Sequence, residues 1–122
     1  MGHEFEAMSA RVIEAAIDVH KALGPGYLES IYESAVRVAL AKRSIPYRFQ
    51  EPIEILFEGE AVGLHRPDLI VDDAIVVELK AVKALEEIHF AQVKSYLKAT
   101  GLRVRLLLNF NAPTLVVKRV VL

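Results

Sequence analysis

The spacing of apolar positions changes several times along this chain, and each change marks an element. From Phe5 to Leu23, Val12, Ile13, Ala16, Ile17 and His20 fall on one stripe at helical spacing, with Arg11, Glu14, Asp18 and Lys21 largely off it. Gly24-Pro25-Gly26 stops that helix. A second helix follows from Tyr27 to about Arg43. At about 100° per residue, Tyr32, Val36, Ala39 and Leu40 form its inner arc. Glu29 falls between Val36 and Leu40, so its carboxylate is expected to point inward.

The pattern then becomes β-like. Tyr47 to Phe57 reads as a strand with Pro52 marking an edge or a bulge, and Glu58-Gly59-Glu60 turns into a second strand from Ala61 to Val71. A third strand runs from Ala74 to Ala81. Leu85 to Thr100 is a third helix ended by Gly101, Arg103 to Phe110 a buried strand, and Leu115 to Leu122 a last strand after Asn111-Ala112-Pro113. The third helix separates the three-stranded meander from the strand after it. It can therefore serve as a crossover, letting that strand pair parallel to an earlier one. The order ααβββαββ implies an α/β domain, a mixed β-sheet flanked by helices.

Composition narrows the picture. The 122 residues make one domain, 1–122, and 53% hydrophobic content indicates a filled interior. No apolar run has the length of a bilayer span and no signal-peptide pattern opens the chain, which suggests a cytoplasmic protein with no membrane partner. The absence of cysteine excludes disulfides and thiolate metal sites. Net charge is -1, whereas a protein that grips nucleic acid through many phosphates usually carries a basic excess. Any such grip must come from a local patch, a metal or a partner.

The chemistry concentrates in Arg66 to Lys80, RPDLIVDDAIVVELK. Two apolar runs flank Asp72-Asp73, as in a hairpin, and near its base stand Asp68, Glu78 and Lys80, for which a packed hairpin has no use. Two carboxylates can hold a divalent cation through hard oxygen ligands. A lysine beside it can orient water and offset charge on a phosphorane-like transition state.

Asp68 preceded by Pro67, followed by Glu78-x-Lys80, resembles the signature of the PD-(D/E)XK nuclease superfamily. Gly26-x-x-Glu29-x-x-Tyr32 resembles the motif that names its GxxExxY family, and Gln92-x-x-x-Tyr96 the helix motif of RecB-like members. The resemblance runs from about Val12 to the end. It implies a restriction-endonuclease-like αβββαβ core with an extra N-terminal helix, and hydrolysis of DNA, with RNA the second candidate, using Mg²⁺ or Mn²⁺. Asp68, Glu78 and the main-chain carbonyl of Leu79 would hold the metal, with Glu29 as third carboxylate; Lys80 would orient the attacking water. Gln92 and Tyr96 would position the lysine or the nucleic-acid strand. His20, on the helix before Glu29, is the alternative to Glu29 as an upstream ligand, and Glu29 is favoured. Tyr32 reads as core.

Two features of the residues bear on this. His89, Gln92 and Tyr96 lie together on the apolar arc of the third helix, and three polar groups on one buried stripe favour a polar site, although His89 alone would read as a satisfied core residue. Lys94, Lys98, Arg66, Arg103 and Arg105 are candidates for contact with a nucleic-acid backbone. The rival reading is a non-catalytic nucleic-acid-binding or protein-interaction module on the same fold. A homodimer or recruitment by a larger complex suits a platform this small.

The hairpin also gives a geometric requirement. Directly opposed residues of an antiparallel pair share a face. A two-residue loop at Asp72-Asp73 would oppose Asp68 to Val77 and send Asp68 and Glu78 to opposite faces. Metal sharing requires Asp68 opposite Glu78, hence an odd loop over 72 to 74 or a bulge. In such a loop Ala74 is expected in the left-handed region.

Overall fold

In the computed structural model, residues 6–89, 91, 101–102 and 104–121 are described. Helix α1 is Glu6–Leu23 and α2 is Glu29–Lys42. The strands are β1 (Tyr47–Phe49), β2 (Ile53–Phe57), β3 (Glu60–His65), β4 (Leu69–Val71), β5 (Ile75–Lys80), β6 (Val104–Asn109) and β7 (Val116–Val121). Of the expected third helix, Glu87 to His89 and Ala91 are helical, while Gln92, Lys94, Tyr96 and Lys98 lie outside the described residues, as does Arg103. No helix among the described residues is long and apolar enough to cross a membrane.

The five-stranded sheet has the order β1-β4-β5-β6-β7; β6 runs parallel to β5 and every other neighbour is antiparallel. The expected parallel return is therefore present, and the mixed sheet with helices is the architecture that the pattern implied. Its meander differs from expectation. The strand expected over Tyr47 to Phe57 breaks at Gln50-Glu51-Pro52, where Gln50 has φ 46°, and the strand expected over Ala61 to Val71 breaks at Arg66-Pro67-Asp68. Both breaks contain a proline, which has no amide to give a ladder. β1 and β4 stay in the main sheet, while β2 and β3 leave it as a separate two-stranded arm.

One face of the main sheet carries the core. Leu69, Val71, Ile75, Val77, Leu79, Leu106 and Leu108 pack there against Val12, Ala16 and Val19 of α1 and Tyr32, Val36 and Leu40 of α2. The inner arc expected for α2 is thus the buried one. α2 closes in a C-terminal turn where Ile45 N donates to Leu40 O and Ser44 adopts φ 56°.

The Gly24-Pro25-Gly26 corner is held by Tyr32. Its hydroxyl donates to Gly24 O at 2.5 Å and accepts from Tyr27 N at 3.1 Å, and its ring stacks on Phe110 with centroids 4.6 Å apart. Gly24 and Gly26 sit at φ 69° and 111°, a region that glycine enters without a Cβ clash. The tyrosine is structural, as expected. His20 is structural too: its Nε2 lies 2.8 Å from Ala112 O, joining α1 to the β6–β7 connection.

Candidate active site

The second face of the sheet is polar at its centre. In β5, Val76, Glu78 and Lys80 alternate with the core residues and so share this face. The β4–β5 register pairs Leu69 with Val77, Ile70 with Val76 and Val71 with Ile75. One step further, Asp68 falls opposite Glu78, the same-face arrangement that metal sharing requires. Three residues, 72 to 74, connect the strands. The left-handed positions are Asp72 and Asp73, at φ 53° and 50°, not Ala74 as expected; Ala74 N closes the turn on Val71 O at 3.0 Å and its side chain is buried. Aspartate tolerates this region better than alanine because its short polar side chain can bond locally.

Asp68 is fixed from two sides. Its carboxylate accepts from Leu79 N at 2.8 Å, and its carbonyl accepts from Gln50 N at 3.1 Å. Burial and then the facing Glu78 carboxylate push its pKa up to about 7. Glu78, buried at the sheet centre, is also raised by desolvation. The two carboxyls face each other within hydrogen-bonding reach. Glu78 Oε1 is buried without a hydrogen-bond partner. Lys80 and Arg105 both favour the charged form of Glu78.

Arg105 corrects an expectation. It was a candidate for contact with a nucleic-acid backbone, but its side chain is fully buried on β6, beside Val76 in the parallel register and on the Glu78 face. A buried guanidinium acts on its surroundings through charge: it favours ionised Glu78 and, after burial itself, lowers the pKa of His65. His65 Nε2 stands 3.7 Å from Glu78 Oε1. Arg66, in contrast, is exposed, as a backbone contact requires.

Glu29 is a second correction. Its side chain is exposed at the first turn of α2 rather than turned inward, and it accepts from Ala81 N at 3.2 Å, at the end of β5. The inward acid of α2 is Glu33, buried, bonded by Gln50 Nε2 at 3.2 Å, and raised in pKa by burial and by Asp68. The helical wheel did carry the signal, since Glu33 lies only about 20° beyond Leu40 on the same arc. His89 is half-buried, and its Nδ1 accepts from Glu86 N at 2.9 Å, within its own helix start. Asn109, buried beside Lys80, had no role in the sequence reading; it donates to Val82 O and accepts from Val82 N, fixing the chain as it leaves β5. An asparagine directly after the apolar run Leu106 to Leu108 was the available cue.

Among the described residues no three His, Asp or Glu side chains are grouped so that they could hold a metal ion. The core of the site is therefore the Asp68–Glu78 pair. It suits a divalent cation on chemical grounds: both ligand atoms are hard oxygens, burial holds both acids above their ordinary pKa, and Oε1 of Glu78 has no hydrogen-bond partner.

The profile of the PD-(D/E)XK nuclease superfamily matches residues 6–120. Neither the curated proteins nor the solved structures provide a match. With a match that spans nearly the whole length, and a mixed sheet that presents Asp68, Glu78 and Lys80 on one face, the chain belongs to the PD-(D/E)XK nuclease superfamily.

Proposed function

We propose that this protein hydrolyses phosphodiester bonds in DNA, with RNA the second candidate substrate, using Mg²⁺ or Mn²⁺. The observation that carries the reading is the register of β4 and β5, which faces Asp68 to Glu78 with Lys80 two residues further along the same face. Asp68, Glu78 and the Leu79 carbonyl would hold the cation. Such a cation supplies Lewis acidity, drawing charge from the phosphate and making water a better nucleophile. Lys80 orients the water and offsets negative charge that develops on the phosphate. Arg105, on the same face, favours the ionised form of Glu78 against the cost of burial. Glu29 steadies the Lys80 end of β5 through Ala81 N. Gln92 and Tyr96 would align the lysine or the strand, and Arg66, Lys94, Lys98 and Arg103 would meet the backbone. Gly26, Glu29 and Tyr32 favour the GxxExxY branch of the superfamily, and a cytoplasmic location agrees with the absence of cysteine.

The test uses single- and double-stranded DNA and RNA oligonucleotides with Mg²⁺ or Mn²⁺. Wild type should cut at least one of them, and Glu78→Ala or Lys80→Ala should not. A thermal shift gives a readout apart from catalysis: the metal should raise the melting temperature of wild type but not of Asp68→Asn. If wild type cuts nothing yet still binds an oligonucleotide, the protein is a binding module on a nuclease fold.

A further inference from the structure

The β2–β3 arm presents an interaction surface. Leu56, Phe57, Val62 and Leu64 are each at least 60% exposed on a two-stranded sheet of its own. An isolated hairpin is at best marginally stable in water, and a patch of large apolar side chains marks a contact surface. Charge identifies the kind of partner. Between Arg48 and Arg66 the chain has Glu51, Glu54, Glu58 and Glu60 and no lysine or arginine. Such a surface repels a phosphate backbone, so nucleic acid is the wrong occupant. An apolar surface bearing positive charge is the right one.

The protein itself carries such a surface. β7, Val-Val-Lys-Arg-Val-Val, is the last strand of the main sheet, and its outer edge has no neighbour among the described strands. Lys118 and Arg119 are exposed there, and Val121 is 46% exposed. Unpaired main-chain groups at an edge accept an added strand. The opposite edge, β1, is only three residues long, and its Arg48 pairs with Glu51 and Asp73. Within the arm, β3 is bulged at Val62, where the register steps from Ile55↔Gly63 to Leu56↔Ala61. A bulged strand is a poor template, which leaves β2, Ile53–Phe57, as the regular one.

We infer that β2 of one copy adds along the β7 edge of a second copy of this chain, with Glu54 opposite Lys118 and the arm's other glutamates drawn to the same basic edge. The two surfaces differ, so the contact is head-to-tail and builds a ring or an open chain rather than a pair with one shared patch. It does not rest on the hydrolytic reading.

The test is the mass of the full chain by light scattering and sedimentation over a wide range of protein concentration. Mass should rise above that of the monomer with concentration and fall again with added salt. Leu56→Lys and Lys118→Glu lie on different elements, and each should give a monomer. An equimolar mixture of Glu54→Lys/Glu58→Lys protein with Lys118→Glu/Arg119→Glu protein should associate where neither variant does alone. A wild type that stays monomeric at every concentration overturns the inference, as does association that Lys118→Glu leaves unchanged. Monomeric protein whose oligonucleotide binding weakens on Leu56→Lys would assign the arm to nucleic acid, and overturns it equally.

Discussion

The chain folds two antiparallel hairpins of similar apolar strands and gives them opposite surroundings. β4–β5 is central: β4 is buried throughout, and β5 is buried up to Lys80. β2–β3 is peripheral, and most of its side chains face solvent. Both turns place two consecutive residues at positive φ, Asp72-Asp73 in one and Glu58-Gly59 in the other. Turn chemistry therefore does not separate them. The layers around them do. Burial raises the pKa of both carboxylates of the first hairpin, and Glu78 raises that of Asp68 further, whereas the arm's glutamates are exposed. Perturbed acids are where chemistry is expected; solvated acids on an apolar arm are where contacts are expected.

The largest effect should come from the buried hairpin's chemistry. Glu78→Ala should lower the rate of oligonucleotide cleavage by about 10³-fold with Mg²⁺ or Mn²⁺, while Glu54→Ala in the arm leaves the rate of each active site unchanged; equal losses would dissolve the distinction. Packing comes next. Ile75→Ala should cost about 3 kcal/mol in urea unfolding, against less than about 0.5 kcal/mol for the exposed Leu56→Ala in dilute solution.

The pH dependence has a definite sign. Asp68 binds its proton more tightly folded than unfolded, with a pKa near 7 against an ordinary 3.8. Its contribution to stability is thus complete below the unfolded value and is lost as pH rises through the folded one. The urea midpoint of the metal-free wild type should fall between those pH values, and Asp68→Asn should flatten the fall. A rising midpoint would show that the carboxylate is not buried against Glu78. Smallest of all, Asp72→Gly should stabilise by about 0.5 kcal/mol because glycine fits φ 53° with less strain, and Glu58→Gly should do the same in the arm.

Alternation made the face shared by Asp68 and Glu78 legible in advance. A strand offers two faces, so Asp68 and Glu78 could be tested by counting residues through the turn, and the count matched. The parallel return of β6 was legible for a similar reason, since a crossover separates it from β5. What was missed depends on tertiary placement. Local pattern ran β1 into β2 and β3 into β4, because nothing local says which sheet a strand joins. Glu29 was assigned inward from the wheel, but α2 begins at Glu29, where the side chain is exposed and caps Ala81 N at the end of β5. Arg105 looked like a surface cation because arginine is seldom fully buried; its meaning emerged only with Glu78 and His65 around it. The polar stripe of the third helix lies outside the described residues.

The tyrosine corner between the helices has a mechanical consequence. Tyr32 ties down the bend before α2, and the same first turn of α2 reaches across to Ala81 through Glu29. One rigid segment thus couples the helical layer to the strand end that bears Lys80. Removing a single phenolic oxygen should therefore loosen a lysine it never touches.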